Sequence, residues 1–174
     1  MKPFKLGTIS ALAFAALACT ALAQSAGALN NKPVLDLDTA HAMAEACLSH
    51  QVAMKHAPID IVIVDDGGNT ILVNRQDGAC KACEEIAKNK AKTAALYNTA
   101  TSFMELRAYG VAKDGVNAEM PGLIGVPGLI TFPGGLPIVS KGVPIGGVGV
   151  SGATGPEDEQ CAQAAIDAVA EKLK

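Results

Sequence analysis

Apolar residues recur at helical spacing near the start of the folded region: Ala40, Met43, Ala44, Cys47 and Leu48 share one stripe. The spacing predicts an amphipathic helix running to about Lys55, with Asp38 as its cap. Pro58 stops it, and the pattern changes to the β-branched run Ile59-Asp60-Ile61-Val62-Ile63-Val64, a strand. Asp65-Asp66-Gly67-Gly68-Asn69 follows as a hairpin turn, because glycine and asparagine accept positive φ, and Thr70 to Arg75 returns as the second strand. From Cys80 to Asn98 the residues Ile86, Ala87, Lys90, Ala91, Ala94 and Ala95 fall on adjoining helix faces, small enough for close approach to a neighbour. Thr99 to Ala112 reads as a short helix capped by Thr101 or Ser102, and Lys113 to Pro127 as a glycine- and proline-rich loop. Leu129 to Phe132 is expected to be a short strand. Leu136 to Val139 and Val143 to Val150 flank Ser140-Lys141-Gly142 as a second hairpin. Thr154-Gly155-Pro156-Glu157 then has the form of a capping box opening a last helix, Pro156 to Leu173, that buries Cys161, Ala162, Ala165, Ile166 and Val169.

The order is helix, hairpin, two helices, hairpin, helix. It fits an α/β chain of the α+β kind, a central antiparallel sheet flanked by helices. The first 23 residues stand apart from this pattern. Lys2 and Lys5, the apolar run Ile9 to Leu22 and the small-x-small Ala21-Leu22-Ala23 predict a signal peptide cleaved after Ala23, and export to the periplasm or beyond. The run is short for a membrane span. A lipoprotein would need Cys19 as its new N-terminus, and Ala16-Leu17-Ala18 suits that signal poorly. Residues 24–34 read as a loose segment and 35–174 as a single domain.

Removing that signal leaves 174 − 23 = 151 residues and a formal balance of 12 − 17 = −5. No basic run or basic-aromatic pattern appears, which argues against nucleic acid as partner. In an oxidising compartment the four remaining cysteines, Cys47, Cys80, Cys83 and Cys161, allow three pairings. Cys80 and Cys83 are near enough to join locally, and Cys47 with Cys161 would then tie the first helix to the last.

Several motifs carry competing readings. Gly147-x-Gly149-x-x-Gly152 matches the dinucleotide fingerprint, yet no βαβ unit follows before Lys174, so these glycines are read as close-packing positions between the last strand and the last helix. Cys80-Lys81-Ala82-Cys83 is either a structural pair, a redox pair or a metal ligand pair; Glu84 stands where covalent haem attachment would need histidine. His41, His50 and His56 have spacings that place them on different faces, with no zinc set around them; solvent-facing side chains are expected, and a lone haem ligand is the functional alternative. His50 is the weak metal candidate. No nucleophile elbow surrounds Ser151.

At this level of detail the chain resembles a known family, the haem-binding domain group typified by GlcG and HbpS. The resemblance rests on Val64-Asp65-Asp66-Gly67-Gly68-Asn69, Arg75-Gln76-Asp77-Gly78-Ala79, Lys90-Ala91-Lys92-Thr93-Ala94, Thr101-Ser102, Gly134-Gly135-Leu136-Pro137-Ile138, Gly142, and Gly146-Gly147-Val148-Gly149-Val150-Ser151-Gly152, with Asp158, Cys161 and Ala162. It implies a profilin-like domain that assembles into dimers and larger oligomers, and binding of haem or a related tetrapyrrole, non-covalently, in haem transport, storage, sensing or breakdown. By position it implies a pocket wall of Arg75, Lys90, Thr93, Thr101 and the Gly134-Gly135 turn, where Arg or Lys would pair propionates and glycine would admit a flat ring. Fold analogy alone does not settle function. The other class of reading is an enzyme or redox accessory, degrading tetrapyrrole or exchanging thiols through Cys80 and Cys83.

Overall fold

A computed structural model describes residues 31–174. The expected signal at 1–23 and most of the segment 24–34 lie outside them. The elements are α1 (Leu37–Met54), β1 (Asp60–Asp65), β2 (Thr70–Arg75), α2 (Cys83–Tyr97), α3 (Thr101–Tyr109), β3 (Gly135–Ser140), β4 (Val143–Ser151), α4 (Gly155–Ala168) and α5 (Ala170–Leu173). The four strands form one sheet in the order β2-β1-β4-β3, and every neighbouring pair is antiparallel.

Both faces of β1 are covered, which is why its sequence is an unbroken apolar run rather than an alternating one. Ile61 and Ile63 face α1 and α4 in a core that includes Met43, Ala44, Cys47, Val148, Val150, Cys161 and Ala162. Val62 and Val64 face the other way, onto Ala87, Ala91 and Ala95 of α2. That second contact is unusually close because β4 has no side chains there. A Cβ on Gly147 would stand 2.3 Å from the Ala91 carbonyl oxygen, and one on Gly149 only 2.0 Å from that of Ala87. The glycine stripe therefore seats α2, not the last helix as expected from the sequence, since α2 is the helix with alanine at the matching spacing. Gly152 serves a different contact, at φ 145° with Pro58 O only 2.3 Å from where its Cβ would be.

The remaining differences from the sequence reading have local causes. Asp36 caps α1, accepting the Thr39 N–H at 2.6 Å, and Asp38 falls inside the first turn, where its charge meets the positive helix end. The N-cap of α3 is Ala100, because the hydroxyls of Thr101 and Ser102 are engaged elsewhere, with Gly135 and Glu159. Leu129 to Phe132 is not a strand; the Ile130 N–H donates to Thr93 Oγ1 instead of to a ladder. The loop after α3 holds one 3₁₀ turn, Pro121–Gly125. Val169 leaves helical geometry and divides the last helix into α4 and α5. The capping box does form, Glu157 Oε2 accepting the Thr154 N–H at 3.0 Å.

Candidate functional site

One end of the sheet leaves its α1 side partly open. β2 is the edge strand, and its Asn74 pairs with Ile61 in register, which turns Asn74 to the same sheet face as α1. The outward side of α1 then forms the other wall. His41, Glu45, Leu48, Ser49, Val52 and Ala53 line with Asn74 an open groove of about 730 Å³. Each of those α1 positions has another three or four residues away, so they share a helix face. Val52 is 69% exposed although it is a large apolar side chain. Val52 and Ala53, apolar on the outer face beside the inward Leu48, are the signal that sequence reading passed over: the inward stripe had already accounted for helix formation. The only ionisable side chains among the lining residues are His41 and Glu45.

The expected pocket wall is placed differently. Lys90 of α2 is 1% exposed, and its Nζ donates to Asp158 Oδ2 at 2.8 Å and to the Val150 carbonyl at 2.7 Å. Asp158 completes its shell by accepting the Ala153 N–H at 3.0 Å. Burial pulls the Lys90 ammonium below its ordinary range and pushes the Asp158 carboxyl up, while each partner's charge opposes the other's shift. The Lys90 ammonium also lies 5.1 Å from the centroid of the Phe132 ring. Gly134 and Gly135 press against this pair: a Cβ on Gly134 would be 2.6 Å from Lys90 Nζ, and one on Gly135 2.6 Å from the Lys90 carbonyl oxygen. Thr101 Oγ1 accepts the Gly135 N–H at 2.9 Å. Lys90, Thr101, Gly134 and Gly135 are thus brought together, as a packed knot that locks α2, α3, β3 and α4. Thr93 stands beside it, its hydroxyl occupied by Ile130, at a cleft of about 230 Å³ bounded by α2 and residues 126–129.

Arg75 is not part of that cluster. It lies on β2, the opposite edge of the sheet from β3, and its guanidinium donates to Asp60 Oδ2 at 2.6 Å and to the carbonyls of Ala79 at 2.6 Å and Cys80 at 3.2 Å. Asp60 is fully buried, and burial raises its carboxyl above the usual range against the pull of the Arg75 charge. Resemblance by position carried six residues to one wall; the fold divides them between two edges of the sheet.

Of the histidines, His41 is exposed and lines the groove, whereas His50 and His56 are half-buried, their rings 6.1 Å apart between centroids. His50 Nε2 and His56 Nδ1 are buried without a hydrogen-bond partner, and His56 Nε2 lies 3.6 Å from Glu157. The expectation of solvent-facing side chains therefore holds for His41 alone. Among the described residues no three His, Cys, Asp or Glu side chains gather as a metal site. Both cysteine pairs are joined, Cys47 to Cys161 across 114 residues and Cys80 to Cys83 across three. Among the described residues no helix is long and apolar enough to cross a membrane.

Comparison with known proteins gives this arrangement a context. An uncharacterised 15.0 kDa protein from the dhaT-dhaS intergenic region of Citrobacter freundii is 32% identical over 137 residues, 79% of this chain and 93% of that protein. The corrinoid adenosyltransferase PduO of Salmonella typhimurium is 33% identical, but the match spans only 32% of its length. Among solved structures, a double mutant of Streptomyces reticuli HbpS superposes with a TM-score of 0.70 at 33% identity, covering 80% of this chain and 89% of that one. A PduOC:haem complex superposes at 0.66 with 29% identity, covering 78% and 95%. The family model described as haem degrading protein HbpS-like matches residues 35–167, the whole of the sheet and of the helices α1 to α3 that hold it, and the chain belongs to that family.

Proposed function

We propose that this protein binds haem non-covalently in the groove between α1 and β2, as an exported carrier, store or sensor of haem. The observation that carries the reading is the groove itself: it is in the size range of small-ligand sites, walled by Leu48, Val52 and Ala53, and has an exposed imidazole at its rim. His41 would hold the iron, since a single histidine is a sufficient axial ligand. Leu48, Val52 and Ala53 would cover one face of the ring and keep water from it, and Asn74 and Ser49 would offer hydrogen bonds at its edge. No Lys or Arg lines the groove, so the propionates would face solvent. Bound haem would supply the redox and gas-ligand chemistry of its iron. The relative solved as a haem complex supports this choice of ligand. Apolar side chains exposed on α2, α3 and beyond, Leu96, Tyr97, Phe103, Leu106 and Ile124 among them, support assembly into a homo-oligomer. The amino-terminal Lys2, Lys5 and apolar Ile9 to Leu22 support export with removal of residues 1–23.

Haemin titration of the folded protein, followed in the Soret band, tests both parts. Saturable binding at micromolar haemin is expected, with loss of about tenfold or more in affinity for His41→Ala and little change for His50→Ala. No saturable Soret change would end the haem reading. Saturable binding indifferent to His41→Ala would move the ligand out of this groove.

A further inference from the structure

The two disulfides sit in opposite surroundings. Cys47 and Cys161 are both fully buried and join α1 to α4 across the core. Cys80 and Cys83 are three residues apart at the surface: Cys80 is exposed, while Cys83 is 2% exposed as the first residue of α2. A loop this short constrains the unfolded chain least, so this pair holds little of the fold together. The neighbouring structure is held by other means. Arg75 grips the carbonyls of Ala79 and Cys80 while anchored on buried Asp60, the Cys83 N–H donates to the Cys80 carbonyl at 3.2 Å, and α2 is seated on the β4 glycines.

We propose that Cys80–Cys83 is a redox-active disulfide that takes electrons from a dithiol through its exposed sulfur, while Cys47–Cys161 remains a structural tie. This inference stands apart from the haem reading and uses no residue of the groove. In the first step a thiolate of the donor bonds to Cys80 Sγ. The Cys80–Cys83 bond breaks, and its electron pair leaves on Cys83 as a thiolate. That sulfur is at the first residue of α2, where free backbone N–H groups favour negative charge and Glu84 and Glu85 of the same turn oppose it. In the second step the donor's other thiolate attacks the donor sulfur of the mixed disulfide, releasing Cys80 as thiolate. The donor ends as a disulfide, and its two thiol protons end on Cys80 and Cys83. Two electrons have moved, and no other co-reactant enters.

The test uses the oxidised, folded protein, a graded series of dithiothreitol and rapid alkylation with a maleimide, read by peptide mass mapping and far-UV circular dichroism. Alkylation of Cys80 and Cys83 is expected at dithiothreitol levels that leave Cys47–Cys161 closed, with unchanged helix signal and melting temperature. The single variants give the direction: free Cys80 in Cys83→Ser should form a mixed disulfide with oxidised glutathione at least about tenfold faster than free Cys83 in Cys80→Ser. Joint opening of both disulfides, loss of α2 signal on reducing the surface pair, or equal rates for the two single variants would each overturn the proposal. Haemin titration of the same reduced sample reads the haem hypothesis separately.

Discussion

Replacing Lys90 by methionine decides whether this lysine is a structural post or a ligand-binding cation. The substitution keeps the side chain's length and removes its charge. In the folded protein it strands the Asp158 carboxylate, 2% exposed, with only backbone N–H groups of Gly152 and Ala153 left to it, and takes a donor from the Val150 carbonyl. Breaking a buried ion pair from one side costs about 3–5 kcal/mol, because the partner charge remains buried without compensation. For a domain of this size that is a large part of the total stability. Urea unfolding at pH 7, followed by circular dichroism, should show that loss, while haemin affinity of the still-folded protein stays within about twofold of the parent. The double variant Lys90→Met/Asp158→Asn should recover a good part of it, since a neutral amide can still accept the Ala153 N–H. The pH dependence has a defined sign. Without Lys90, burial is opposed only by the backbone hydrogen bonds to Asp158, whose folded carboxyl already lies above its ordinary 3.8. A raised folded value means that the folded state binds protons more readily than the unfolded one, so the penalty is full at pH 7 and shrinks as pH falls through the folded value. A stable Lys90→Met protein, losing less than about 1 kcal/mol but ten times weaker in haemin affinity, would refute the structural assignment.

Two further outcomes bear on the scaffold. Gly149→Ala places a methyl carbon 2.0 Å from the Ala87 carbonyl oxygen and 2.4 Å from the Ala91 nitrogen, both in helix backbone that has no rotamer to yield. Restoring an ordinary contact of about 3.3 Å means lifting α2 off the sheet, so thermal unfolding should show a loss of about 3 kcal/mol or more. Gly122→Ala meets open space at an ordinary φ and should stay within about 0.5 kcal/mol of the parent; equal effects at the two sites would contradict the seat assigned to α2. Asp65 accepts N–H groups from Gly67 at 2.9 Å and Asn69 at 2.8 Å, and bonding to Asn69 is the main cause holding its carboxyl below 3.8. A lowered folded value stabilises above about pH 3.8 and loses that effect as pH falls through it, so the melting-temperature gap between parent and Asp65→Ala should close in acid. A gap independent of pH would rule out the carboxylate as its source.

Much of the scaffold is legible along the chain because its causes are local. Positive φ at Gly68 and the Asp65 side chain make the first hairpin turn, and both are written into Asp65-Asp66-Gly67-Gly68-Asn69. The capping box needs only Thr154 and Glu157, three residues apart. The candidate site was less legible. Resemblance assigned Arg75 and Lys90 to propionates because cations suit anions, but each is already committed, to Asp60 fifteen positions earlier and to Asp158 sixty-eight positions later. Periodicity placed Lys90 on a helix without saying which of its faces the sheet would cover.

By itself the sequence determined the order of elements, the two hairpins, the capping box that opens the last helix and the family, since spacing, turn chemistry and capping act over a few residues. Tertiary structure alone decided three matters that depend on residues distant in the chain. It chose Cys47–Cys161 and Cys80–Cys83 from three pairings. It gave the glycines of β4 to α2, by bringing a strand and a helix from separate parts of the chain within backbone contact. It also set Asn74 of an edge strand beside the outer face of α1, making a groove from two surfaces that neither segment forms alone. Sequence pattern records what a segment must bury; which distant surface buries it, and what remains open, follows from how the packed layers meet.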